Sequence, residues 1–348
     1  MRGSNGLMEE EKFRKKILWF NFVCCLLVIW NHAGNADLFF GAQAAEHFLY
    51  RFEYEWMAAL IRVNIPCFMM ISGYLFFRNF QWESLPGKWK RRVKTLLIPY
   101  LLWNLLYYAG YYTASQFEQL RPLINRPELT FTLKNLWNAA VHFAFNPVFW
   151  FMYQLILLVL LAPWHYLILK RKWTGIPYLC LLWYGIYRQT ALPQLNLDAL
   201  LYYSTAAFLA IHGKGVIEGA WNRRRGIFGG LLLTAGYFFG WRFYHTYFIP
   251  EVVLYHVLVA GGFWFLVSED WLGRVRPFMT TTFFIYALHF IPTRLLNKVG
   301  AMLFPGNGTA AVLLYLLMPA VIVIICNQAA IFLRRHTPRL WMLFNGGR

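Results

Sequence analysis

The chain has 348 residues, of which 59% are hydrophobic, 20% aromatic and only 14% charged, and its mean hydropathy is +0.42. Soluble domains average roughly 45–50% apolar and about 25% charged residues. One soluble core cannot hide this much apolar surface, and disorder, a fibrous repeat and a disulfide-stapled secreted module are excluded with it. Lys and Arg outnumber Asp and Glu by 33 to 15. In a membrane protein that excess belongs to the cytoplasmic loops rather than to a nucleic-acid partner.

A bilayer core of ~30 Å takes about 17–25 residues of helix. Ten stretches fit that ruler, near 17–34, 56–77, 96–113, 148–169, 176–189, 199–212, 226–243, 251–268, 279–298 and 311–333. The predicted fold is therefore all-α, a polytopic transmembrane helix bundle of about ten spans. It forms one membrane domain over 1–348, with cytoplasmic tails at 1–16 and 334–348. The first apolar stretch lacks a small-residue cleavage site, so it reads as a retained helix, not a signal peptide. With the N-terminus inside, the inner segments carry 24 of the 33 Lys and Arg residues. The first outer loop instead carries Asp37, Glu46, Glu53 and Glu55 against Arg51. This alternation predicts an even span count with both termini cytoplasmic; eight spans preserve it as ten do. The longest outer loop, 114–147, is a candidate for acceptor contacts. The five cysteines lie in apolar stretches, without zinc spacing, and read as small buried hydrophobes. No metal site is expected.

Ionisable groups inside a membrane are functional candidates because charge in hydrocarbon is costly. His32 ends the first span in VIWNHAGN, where an imidazole can serve as a general base or simply share a hydrogen bond with Asn31 or Asn35. The second span holds Arg62 and Asn64 at its outer third, then Pro66, Ser72-Gly73 and Tyr74; Ser-Gly also suits close helix packing. Beyond it comes a basic run of Lys88, Lys90, Arg91, Arg92 and Lys94. It reads as ordinary inner-loop charge or as a dock for a phosphorylated cytosolic ligand. The fourth span opens with Trp150 and Tyr153, interface anchors by type and also candidates for substrate contact. His289 lies within the ninth span. His212, Arg242, His245 and His256 read as solvated or interfacial. No Walker loop, GxSxG or HExxH occurs.

In chain order, the span ending at His32, VNIPCFMMISGYLF (63–76), the basic stretch into LLIPYLLW (92–103), FWFMYQLILLVLLAP (149–163) and IYALHF (285–290) together resemble the acyltransferase-3 family of integral membrane O-acyltransferases. The resemblance covers most of the chain. It implies a bacterial cytoplasmic-membrane enzyme that moves an acyl group, most often acetyl, from cytosolic acyl-CoA to a hydroxyl of an extracytoplasmic glycan. Succinyl is the runner-up. It implies His32 as general base, with His289, Arg62 and Tyr74 as catalytic partners and Asn64, Ser72, Trp150 and Tyr153 beside the substrate. CoA phosphates would meet Lys88, Lys90, Arg91, Arg92 and Lys94. Asn21 and Thr95 stand where the family carries Arg, which removes positive charge from the donor side. Two other readings stay open: a transporter or flippase of a lipid-linked or small polar substrate, and a degenerate, non-catalytic family member.

Overall fold

The computed structural model describes residues 8–243, 245, 246 and 248–347. The outermost residues of both expected tails, 1–7 and Arg348, lie outside that range. The fold is all-α, and each of the ten predicted stretches lies on helix. The principal helices are α1 (Glu10–His32), α2 (Asn64–Phe77), α3 (Ile98–Ser115), α4 (Leu133–His142), α5 (Trp150–Leu160), α6 (Ala162–Leu169), α7 (Lys172–Tyr187), α8 (Leu197–His212), α9 (Arg223–Phe243), α10 (Pro250–Leu266), α11 (Thr282–Leu288), α12 (Phe290–Leu303), α13 (Gly308–His336) and α14 (Pro338–Phe344).

By length and apolarity, three helices among the described residues can cross a membrane: Glu10–Glu46, Phe48–Phe77 and Gly308–His336. A fourth is the pair Leu133–His142 and Pro147–Leu160 if they are one span bent by 48°. The other predicted spans are interrupted, short or, as in α3 and α9 at 18 and 21 residues, long enough but less apolar. The fourth breaks at Leu161 before Pro163, and the ninth changes helix at His289. α7 and α8, at 16 residues each, reach about 24 Å. The long predicted loop 114–147 is partly helical. Its α4 packs on α3 through Tyr100 Oη to Val141 O at 2.7 Å, and it stops at Phe143 in the left-handed region (φ 45°). The expected C-terminal tail is helical too: α13 runs to His336, and α14 folds back because Trp341 buries against Phe284.

One cluster of buried side chains runs from Met8 to Trp341. A close seam within it is α2 against α8. A Cβ on Gly73 would lie 2.5 Å from the Tyr203 carbonyl oxygen, so only glycine permits this approach. Four of the five cysteines are buried as expected; Cys180 is exposed. His256 departs from the solvated reading: on α10 it is half-buried, with the Tyr202 hydroxyl of α8 2.7 Å from its Nδ1.

Candidate functional site

α1, whose 23 residues span about 34 Å, passes two cavities. The larger, about 880 Å³, opens among basic groups at one end of the bundle. Residues 10, 13, 14, 17, 18 and 21 of α1 line it, as do 68, 71, 72, 75 and 76 of α2. Those spacings are single helix faces. The helix Leu85–Arg92 contributes Lys88, Arg91 and Arg92, again three and four residues apart. Lys90 and Lys94 project elsewhere and are exposed. Asn21, Ser72 and Thr95 all line the wall. The deep end is apolar and aromatic, formed by Phe68, Phe151, Met152 and Tyr286.

Sequence reasoning missed two cations of this cavity, Arg14 and Arg78, because each reads locally as ordinary inner-loop charge. Arg78 is held by Glu218 at 2.7 and 2.8 Å and by Glu10 at 2.7 and 3.1 Å; Arg14 Nε donates to the same Glu10 carboxylate at 2.8 Å. Burial pushes the Glu218 carboxyl up, but hydrogen bonds from Arg78 and Tyr74 outweigh it and leave its pKa below the ordinary carboxylate value. Tyr74 is thus placed in an ion network, its hydroxyl 2.7 Å from Glu218 Oε1, rather than beside His32. Burial, then Arg92 and Arg91, lower the pKa of Lys88. Burial also lowers that of Arg92. Cations destabilised in this way gain from an anionic ligand.

Past Tyr286, one helical turn on, lies His289, which is fully buried. Its ring lies 5.4 Å from that of His32, and the edge of Phe290 packs at 5.3 Å from the His32 ring. His289 Nδ1 is 2.6 Å from the Tyr286 carbonyl. That carbonyl can only accept, so Nδ1 carries the proton and Nε2 keeps the lone pair. Nε2 has no hydrogen-bond partner. The turn after His32 is clamped from three sides. The Glu53 carboxylate accepts from Asn35 N at 3.0 Å and Ala36 N at 3.1 Å. Asn297 Nδ2 donates to Ala33 O at 2.9 Å, and Asn35 Nδ2 to Ala311 O at 3.1 Å. Glu53 and Asn297 were not legible as site residues: one sat in an acidic loop, the other in an amphipathic stretch.

The second cavity, about 210 Å³, lies on the far side of the histidine pair. Trp30, Asn31, Gly34, Glu53, Tyr54, Arg62 and Tyr315 are among its walls. The two cavities share no lining residue. Arg62 lines this smaller cavity. Asn64 is buried, its Oδ1 accepting from Ile65 N. Trp150 packs against the core, and the Tyr153 hydroxyl donates to Gln194 Oε1 at 2.7 Å; neither lines either of these two cavities. No group of three His, Cys, Asp or Glu residues suited to a metal ion occurs among the described residues.

A relative, the succinoglycan biosynthesis protein ExoH of Rhizobium meliloti (strain 1021), is 28% identical over 45% of this chain, and the match spans 43% of the relative's length. No solved structure matches. The family model described as "Acyltransferase domain" matches residues 17–327, a stretch that holds both histidines and nearly all of the larger cavity's walls, and the chain belongs to this family of multi-pass membrane acyltransferases.

Proposed function

We propose that the protein transfers an acyl group, acetyl in the first instance, from cytosolic acyl-CoA to a hydroxyl of a glycan on the other side of the membrane. The observation that carries this reading is the larger cavity. It is cationic at its mouth, apolar at its deep end, and stops at Tyr286, one helical turn from buried His289 and its half-buried neighbour His32. A CoA thioester has the matching polarity, with phosphates at one end and the acyl group at the other. The basic end is then cytoplasmic, in line with the charge alternation of the loops. Arg14 and Arg78 stand in the same wall as Asn21 and Thr95 but are paired with Glu10 and Glu218, so the net positive charge for the donor comes from Lys88, Arg91 and Arg92. The relative's part in succinoglycan biosynthesis supports a polysaccharide acceptor.

In this mechanism His32 accepts the proton of the acceptor hydroxyl as its oxygen attacks the thioester carbonyl carbon. The C–S bond breaks, the acyl group leaves on the acceptor oxygen, and the proton passes from His32 to the departing thiolate. His289 orients His32 and offers its Nε2 lone pair to the imidazolium that forms. Enclosure by the helices keeps water from the thioester.

The test uses purified protein in nanodiscs, with acetyl-CoA binding and free-thiol release as readouts. His32→Ala should abolish turnover and keep binding. Changing Lys88, Arg91 and Arg92 together to Ala should weaken binding at least tenfold, more so at low salt. A folded parent that binds no acyl-CoA from a panel including acetyl- and succinyl-CoA would defeat the proposal and favour transport.

A further inference from the structure

The smaller cavity has no part in donor binding, and its chemistry is of another kind. We propose that it is the acceptor subsite and that it holds one neutral sugar residue of the glycan, with a hydroxyl presented to His32. This inference rests on the acyltransferase reading.

Position is the first argument. Trp30, Asn31 and Gly34 line the cavity and bracket His32 on either side along the chain. The cavity and the donor cavity thus lie toward opposite ends of α1, and the histidine pair stands between them without lining either wall. Size is the second. At about 210 Å³, it has the volume of roughly seven waters, which suits one pyranose ring and not an oligosaccharide.

Chemistry is the third. Glu53 and Arg62 bring both charges, Asn31 a carboxamide, and Trp30, Tyr54 and Tyr315 aromatic rings. A sugar presents hydroxyls that both donate and accept, beside an apolar C–H face, and this mixture answers both. A lipid tail would need an apolar lining. A phosphate would meet the Glu53 carboxylate. The Glu53 oxygens hold two backbone N–H groups and still have acceptor capacity.

Tyr315 is the buried, unpaired group that lines this cavity; Tyr108 and Tyr203 are unpaired too but line neither cavity. Tyr315 is 1% exposed, and its hydroxyl has no hydrogen-bond partner. Buried hydroxyls are nearly always paired. A sugar hydroxyl in the cavity supplies the missing partner.

The experiment compares the parent with Tyr315→Phe, which removes one oxygen and keeps the ring. Acetyl transfer is followed from acetyl-CoA to the host's own cell-surface polysaccharide, stripped of acyl groups by mild alkali. The variant should raise the KM for polysaccharide about three- to tenfold, the worth of one neutral hydrogen bond, and leave the KM for acetyl-CoA in place. An unchanged polysaccharide KM would overturn the subsite. A parent that releases thiol from acetyl-CoA yet acylates no polysaccharide would overturn the sugar as ligand. A parent that neither binds nor cleaves acetyl-CoA would instead bring down the acyltransferase reading beneath it.

Discussion

Asn297→Leu separates positioning of His32 from stability of the fold. Asn297 is 2% exposed; its Nδ2 donates to Ala33 O at 2.9 Å and lies 3.4 Å from Gly34 O, while its Oδ1 is buried without a partner. Leucine has a similar volume and no polar atoms. The substitution orphans the Ala33 carbonyl, at about 1–3 kcal/mol, and removes the unpaired Oδ1, a gain of similar size. The net change in stability is therefore within about 1 kcal/mol. Activity has no such offset. The Ala33 carbonyl belongs to the turn directly after His32, and a displacement of about 1 Å at a reacting group can cost ~100-fold. The Glu53 carboxylate and the Asn35–Ala311 bond still hold the turn, so only part of that loss is expected: about ten- to thirtyfold in kcat, or roughly 1.4–2 kcal/mol. The assay is steady-state acyl transfer in nanodiscs, alongside thermal unfolding and the KM for acetyl-CoA. The reasoning predicts a lower kcat, an unchanged KM and an unfolding midpoint close to that of the parent. A kcat within twofold of the parent, with the fold intact, would refute the clamp.

Glu10 sits between Arg14 and Arg78 at the mouth of the larger cavity, where its carboxylate competes with a donor phosphate. Glu10→Gln should tighten CoA binding about three- to tenfold at low salt, with the gain shrinking as salt rises; calorimetric titration at two ionic strengths checks this, and weaker binding would count against it. Because the folded pKa of Glu218 lies below its unfolded value near 4.5, the stabilisation from its Arg78 and Tyr74 contacts is complete above that pH and is lost as pH falls through the folded value. Thermal unfolding in detergent should show an acid limb below about pH 4.5, and Glu218→Gln should flatten it while lowering stability at neutral pH. Gly73→Ala drives a Cβ to 2.5 Å from the Tyr203 carbonyl; the α2–α8 seam must open, at about 1–3 kcal/mol, visible as a lower unfolding midpoint.

The sequence by itself determined the helical class and the path of the apolar stretches. Both are local: twenty apolar residues form a helix in lipid whatever lies beyond them, since no other structure satisfies the backbone there. It also marked His32, Arg62 and part of the basic run, because charge near a span is conspicuous against apolar neighbours. The helical period of 88, 91 and 92 was already readable and separates them from Lys90 and Lys94, although the full run was assigned together. Tertiary structure decided the rest. His32 and His289 are 257 positions apart and share a contact only after α1 packs on α11 and α12. Tyr74 looks like a site residue within its own block, and a carboxylate 144 positions away draws its hydroxyl into an ion network. Glu53, Asn297 and Tyr315 carry no local sign of their roles, because a clamp or a pocket wall is defined by the groups it faces, and those come from distant parts of the chain. Span continuity was decided there too. An apolar stretch such as 148–169 can break at Leu161, before Pro163, and remain packed, because Ala162, His165 and Leu169 of the following helix are still buried.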